Sequence, residues 1–432
     1  MTPVELLQQL IRFDTTNPPG NEADCVEFLR GVLEEAGCET EVYAREPGRP
    51  NLFSRVTGAG KSPPLLLQGH VDVVTTAGQT WQHPPFAADL VDGEVWGRGA
   101  VDMKGPMTMY VSAFLRAARG ELDLPGDVIL VVLADEEAGG NFGAKFLVEK
   151  HAHLFEGVRH ALGEAGGVSR VIAGKRFYPI QVGEKQICWL KATVRGPGGH
   201  GAMIRRGGTM ARLGQMLRDL DRKRMPIHLT PIVREMIETV AAHLPQPKRA
   251  LVLSLLKPAI ADRVLPRLGE DMRPIETLLR NTVNATIVRG GEKVNVIPSQ
   301  VELELDARLL PGFAPDDLIA EVQQLVGDDI EFEVARHDAG PAEPDLTLFD
   351  MLGEVLRELD PEGIPMPLLQ GAVTDARFFS RLGIQTYGFI PMRLPDDFPL
   401  LKIVHAADER IPVQALDFGT EAVSRVLERV RP

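Results

Sequence analysis

The chain has 432 residues, 44% of them hydrophobic, 25% charged and 6% aromatic, which is ordinary globular composition and excludes a disordered or collagen-like polymer. Its 47 lysines and arginines against 60 aspartates and glutamates leave a net charge of −13, which disfavours nucleic acid and anionic membranes, because both select a basic footprint. No apolar run approaches the roughly 20 residues that span a bilayer, and no basic-then-apolar signal opens the sequence. Three scattered cysteines, Cys25, Cys38 and Cys188, make neither a disulfide framework nor a Cys-rich zinc site, so a cytoplasmic protein of two or three domains is expected.

In chain order, the opening segment reads as an amphipathic helix that stops before Asn17-Pro18-Pro19-Gly20. Residues 22–36 carry Val26, Leu29, Val32 and Leu33 at helical spacing and end at Gly37. LLLQGHVDVV, at 65–74, is an apolar strand, and a turn-rich stretch after it closes at Trp96-Gly97-Arg98-Gly99. Residues 106–119 read as helix, Val128–Ala134 as a buried strand with an acidic end, and RHALGEAGG as a shorter copy of that pattern. Helices alternating with continuous apolar strands predict a mostly parallel sheet covered on both faces.

Near residue 186 the texture changes. ICWLKATVRG, NTVNATIVRG, QVELELDARL and IEFEVARH alternate apolar with polar residues, as half-buried antiparallel strands do. The proline-punctuated stretch 226–280 reads as a helical extension of this region. From Pro344 the first texture returns. The expected fold class is therefore α/β: a mostly parallel sheet flanked by helices, built from 1–185 and 339–432, with 186–338 inserted as an α+β lid or dimerisation domain.

Chemistry is suggested by where acids and histidines fall. His70 and Asp72 are two apart on a predicted strand and so share a face. Ligands of open α/β sheets bind beyond the carboxyl ends of the strands, and His70, Asp72, Glu136, Glu137 and Glu164 all sit at such ends. Asp102 lies in the glycine-flanked turn GRGAVDMKG just before a helix. One acid after a strand is more often a cap or a solvated loop residue; several brought together would repel unless a cation neutralised them. Imidazole with carboxylates and no thiolate suits Zn²⁺, Mn²⁺ or Co²⁺. Elsewhere spacing favours plainer readings. Gly198-Gly199-His200-Gly201 is a flexible hairpin with an exposed histidine, and Asn295 and Arg308, in alternating strands, are a solvent-face amide and a surface ion-pair arginine. His83, His151, His153 and His160 match no motif and read as surface or packing residues.

In that order, HVDVV, GRGAVDMKG, ADEEAGG, LGEAGG, GGHGA, KVNVIPSQ, TDARFF and VHAADER resemble the co-catalytic metal hydrolases of the aminoacylase and carboxypeptidase family, which includes acetylornithine deacetylase, succinyl-diaminopimelate desuccinylase and glutamate carboxypeptidase. The helical extension of the insert is similar to the Gly-Xaa carboxypeptidase branch. The resemblance covers nearly the whole chain, and it implies two divalent ions, zinc first, with cobalt or manganese as alternatives. His70, Asp102 and Glu164 would hold one ion; Asp102, Glu137 and His405 would hold the other, with Asp102 bridging. Asp72 would orient His70, and Glu136 would be the general base.

The same resemblance makes His200 the group that stabilises the tetrahedral oxyanion, often from the partner subunit of a homodimer formed through the insert. Asn295 would bind near the oxyanion and Arg308 would grip a free carboxylate. The implied reaction is cleavage of the amide bond of a small N-acyl amino acid or dipeptide by a metal-held hydroxide. An aminopeptidase-type metallopeptidase and a non-catalytic peptide-binding protein on the same scaffold are the alternatives. Gly371-Ala372-Val373-Thr374-Asp375 departs mildly from the family's pattern and bears on pocket shape. Glu136 and Glu137 are neighbours, so serving one site requires a sharp turn, which Gly139 and Gly140 permit.

Overall fold

Three wholly buried runs, Leu65–His70, Val128–Leu133 and His160–Gly163, decide the architecture of the first part of the chain. In the computed structural model, which describes residues 1–267, 273–341 and 343–431, they lie side by side as the parallel middle of a nine-stranded sheet. Gln385–Gly388 extends the parallel run beside His160–Gly163, while Pro50–Val56 and Thr40–Ala44 add antiparallel strands at the other side. The sheet is thus mixed, with a parallel centre.

Strands buried on both faces need helices on both faces. Ile129, Val131 and Leu133 pack with Ala144, Leu147, Phe155, Phe378 and Phe379 on one side. The alternate residues face the helix Lys104–Ala118, which is buried around nearly its whole circumference and packs in turn on Val413–Arg429. The continuous apolar strands seen in the sequence follow from this double cover.

Two units emerge from the contacts: Met1–Val182 with Pro344–Leu368 and Thr374–Pro432, and Gly183–Glu343 with Leu369–Val373. The second unit holds a four-stranded antiparallel sheet in the order Thr282–Arg289, Gln300–Leu309, Gln186–Arg195, Glu331–Asp338. Leu190, Ala192 and Val194 alternate inward with Leu303, Leu305 and Ala307, against Met216 and Leu318 of the helices Thr209–Arg222 and Pro315–Val326. The opposite face carries cross-strand ion pairs, Lys191 with Glu302 at 2.9 Å and Arg195 with Glu331 at 3.2 Å. Helices Pro231–Ala242, Lys248–Leu253, Pro258–Val264 and Arg273–Leu278 occupy the stretch read as a helical extension; its residues 268–272 lie outside the described residues.

Two placements correct the sequence reading. The strand expected over 65–74 ends at His70, because beyond it the chain leaves the sheet and Val73 pairs with Thr16 near the start of the chain. Asp72 therefore lies past the strand rather than on it. Asn295 lies in a turn just before the two-residue strand Val296–Ile297, not within a strand.

Lys185 is fully buried in the second unit, its ammonium donating to the carbonyls of Thr277 and Arg280 and to Thr282 Oγ1 at 2.8–3.1 Å. Burial pushes its pKa down to about 7, with Arg308 adding to the effect. The unfolded chain keeps an ordinary lysine near 10.4, so between these values the unfolded state binds the extra proton and stability rises with pH. Urea midpoints of the parent, compared with Lys185→Met across pH 7–10, should show the parent gaining on the variant as pH rises; a flat or falling difference would refute the buried-amine account.

Candidate metal centre

The carboxyl ends of the parallel strands deliver the acids to one place. His70 closes its strand, fully buried, with Nε2 3.3 Å from Asp102 Oδ1 and 3.5 Å from Glu164 Oε2. Glu164 follows the strand His160–Gly163, and Asp102 precedes the helix Lys104–Ala118. His405 Nε2 stands 3.0 Å from the other oxygen of Asp102 and 3.3 Å from Glu137 Oε1. Asp102 thus faces one imidazole with each oxygen.

Glu136 and Glu137 share a neighbourhood because the backbone turns at the strand end. Asp135 adopts a left-handed conformation (φ 70°) and a single 3-10 turn covers Glu136–Ala138. Gly140, at φ +73°, closes the turn against Asp375 and Phe378, where a Cβ would come within 2.7 Å of Asp375 Oδ1. The exposed amides of the turn need an acceptor, and Asp72 supplies it: Glu136 N donates to Oδ1 and Glu137 N to Oδ2, both at 3.1 Å. The nearer contact of His70 Nδ1 is the Asp72 carbonyl at 2.9 Å, with the carboxylate at 3.4 Å.

Sequence reasoning missed the network beneath this turn. Asn17 donates to Asp72 Oδ2 and Asp135 Oδ1 at 2.8 and 3.1 Å. Arg49 reaches Asp135 at 3.0 Å and clasps both oxygens of Glu22 at 2.7 Å. All of these side chains are buried. Arg377, also buried, holds the carbonyls of Thr374 and Gly139 and lies 4.0 Å from Glu136 Oε1. The motifs NPPGNE and TDARFF stand in the sequence, but nothing in their spacing shows that they meet the strand ends.

Electrostatics follow from this crowding. Burial pushes the Glu136 carboxyl well up, and the facing Glu164, Asp375 and Glu137 push the same way. Burial likewise raises Asp375 to about 7, with Arg377 opposing. The facing carboxylates of Asp102 and Glu137 raise His405 to about 10, and burial works against them. For Asp102 burial opposes ionisation, but His405 and His70 outweigh it and hold the carboxyl well below its usual range.

A cation fits these donors. His70 Nε2 and Glu137 Oε1 are buried without a hydrogen-bond partner among the described residues. Around a four-coordinate ion with bonds of roughly 2.0–2.2 Å, donor atoms stand about 3.4 Å apart, close to the 3.0–3.5 Å separations found here. Donor atoms of His70, Glu136 and Glu164 lie within 4.8 Å of one another, and so do those of His70, Asp102 and Glu137.

The remaining candidates belong to the second unit. His200 is exposed in the short strand Gly199–His200, paired with Val296–Ile297, and Gly201 N donates to the Asn295 carbonyl at 2.8 Å. Ala202 N donates to His200 Nδ1 at 3.1 Å, so the neutral ring carries its hydrogen on Nε2. Arg308 is held by Asp306 through two bonds of 2.7 and 3.1 Å. His83 and His160 have carboxylate partners, Asp89 at 3.2 Å and Asp345 at 3.0 Å, and His151 meets the Tyr43 ring at a tilt and the Phe146 ring edge-on. The three cysteines are free thiols.

Replacing Arg49 by Met would leave Glu22 and Asp135 buried without their counterion. The expected cost is about 3–5 kcal/mol in denaturant-derived stability; a loss under about 1 kcal/mol would show that the network does not carry the turn.

The sequence profile of Peptidase family M20/M25/M40 matches residues 66–429. "Probable carboxypeptidase S-like 2" of Dictyostelium discoideum is 28% identical over 82% of this chain and 70% of its own. Aminoacylase-1 of Sus scrofa is 25% identical over 98% of this chain and 94% of its own. Among solved structures, the M20 family metallo-carboxypeptidase Sso-CP2 from Sulfolobus solfataricus shares the fold, with a TM-score of 0.70 at 17% identity over 99% of both chains.

Proposed function

We propose a function from one premise: the chain belongs to Peptidase family M20/M25/M40. It is accordingly a metal-dependent hydrolase of amide bonds. The reading proposed within that class is a dinuclear enzyme that acts on a small N-acyl amino acid or a dipeptide with a free carboxylate. The observation that carries it is the pair of imidazoles, His70 and His405, facing opposite oxygens of Asp102, with Glu164 and Glu137 at their outer sides.

His70, Asp102 and Glu164 would hold one ion, and Asp102, Glu137 and His405 the other. Zinc is the first choice, with cobalt or manganese next, since the donors are nitrogen and oxygen without thiolate. When bound, the ions supply Lewis acidity, polarising the amide carbonyl and making water acidic enough to be deprotonated at neutral pH. Glu136 takes that proton and returns it to the leaving nitrogen. Its buried, acid-faced carboxyl has a raised pKa, as a group that must both accept and release a proton needs. Asp72 keeps Glu136 and Glu137 in register through their amides. His200, with its hydrogen on Nε2, is suited to donate to an oxyanion. Asn295 and Arg308 are assigned to substrate binding, Arg308 to the free carboxylate in exchange for its Asp306 contacts.

Glu136→Gln should retain two equivalents of metal and lose about 10²–10⁴-fold in kcat. Metal analysis beside steady-state rates checks this, and robust turnover by the variant would remove the base assignment. His200→Ala should lower kcat by about 10²–10³-fold while KM moves little; an unchanged rate would end the oxyanion role. Dialysis against a chelator should abolish hydrolysis across a panel of N-acyl amino acids and dipeptides, and zinc, cobalt or manganese should restore it. Preference for free amines over free carboxylates in that panel would overturn the substrate reading.

A further inference from the structure

The loop that carries His405 is tied to Asp102 by residues that hold the backbones of the donors and not their facing side-chain atoms. Glu409, four residues on and fully buried, accepts from the amides of Val101 and Asp102 through Oε1 at 2.8 and 2.9 Å. Its Oε2 accepts from Gly99 N at 3.0 Å and from Arg98 Nη1 at 2.6 Å. Arg98, also buried, passes the connection outward, since its Nη2 donates to Gln79 Oε1 at 2.9 Å. Gln79 then donates from Nε2 to the carbonyl of His405 itself at 3.0 Å. A carboxylate that fixes the backbone of Asp102 is therefore linked, through one guanidinium and one amide, to the backbone of His405.

His405 needs such a hold. It sits at φ +60°, a left-handed conformation that is strained for a non-glycine residue and persists only when its surroundings impose it. Its side chain is half exposed, whereas His70 is locked inside the sheet. Asp408, likewise at φ +62°, is clasped by Gln82 through backbone and side-chain bonds of 2.8 Å. Of the two imidazoles, only His405 depends on a surface loop for its place.

We propose that Gln79, acting with Arg98 and Glu409, is a positioning residue that sets His405 against Asp102 and thereby the affinity of one of two ion subsites. The proposal rests on the dinuclear reading above, but the positioning claim can be measured without it. Gln79 is only partly buried, so its replacement leaves the core intact.

The test is titration of metal-free parent, Gln79→Ala and Gln79→Glu with cobalt(II), followed by visible absorption against a competing chelator. Supporting groups behind a metal ligand are typically worth 10–100-fold in affinity. One cobalt equivalent should weaken by that factor in Gln79→Ala, with the other within twofold of the parent. Gln79→Glu keeps a partner for Arg98 but loses the donor to the His405 carbonyl, so it should behave like Gln79→Ala. A Gln79→Glu variant with parental affinity would overturn the proposed contact. Equal binding of both equivalents in all three proteins would overturn the proposal as a whole. Hydrogen exchange of the metal-free proteins provides a readout independent of metal and turnover: peptides over 404–409 should exchange faster in both variants and the rest of the chain unchanged. If the parent takes up fewer than two cobalt ions, the dinuclear reading falls, and exchange in 404–409 alone then supports or refutes the positioning role.

Discussion

Asp72 is the point on which the first unit turns. Two consecutive glutamates can face one site only if the backbone reverses sharply, and a reversed backbone exposes amides that the interior cannot leave unpaired. The two oxygens of Asp72 receive those amides, one each. That solution creates a second problem, because Asp72 and Asp135 are themselves buried acids beside others. Asn17 joins them, Arg49 neutralises Asp135, and Glu22 balances Arg49. The left-handed Asp135, the glycine pair and the ion network are successive consequences of one need.

A buried ion network of this kind is a poor source of stability, since desolvation consumes most of what attraction returns. Its use here is positional. Asp72 and Asp135 hold the turn bearing Glu136 and Glu137, and Glu409 holds the turn bearing Asp102. Asp102 and Glu137, two of the acids that face the imidazoles, thus have their backbone amides held by other carboxylates. Oxygen donors that must stay within a few tenths of an ångström despite mutual repulsion need this rigidity even before any cation arrives.

The sequence made the donors visible and their supports invisible, for a physical reason. His70, Glu136, Glu137 and Glu164 follow apolar strands, so period and strand polarity alone send them to one edge of the sheet. The parallel centre was legible in the same way, because strands covered on both faces are continuously apolar. Arg49, Asn17 and Glu409 instead act across loops, where contact depends on how distant segments pack rather than on any local period. Asp72 shows the limit clearly. Its spacing from His70 suggested a shared strand face, yet the strand ends at His70, and the carboxylate serves a turn more than sixty residues away along the chain. Asn295, expected in an alternating strand, lies in a turn because the strand there is only two residues long.

The cost of burying these groups bears on whether the centre performs chemistry or only binds a ligand. An ion-free interior leaves His70 Nε2 and Glu137 Oε1 without a hydrogen-bond partner among the described residues, at about 1–3 kcal/mol for each such group. A binding site for cations would repay that cost and account for the imidazoles and their acids. It would leave unexplained a further carboxyl, Glu136, buried among those acids with the Arg377 guanidinium 4.0 Å away. A glutamate kept in that condition is costly as a structural element and poorly matched to a purely electrostatic role. It suits the proton-transfer role proposed above, because burial and the facing acids raise its carboxyl toward the protonated form.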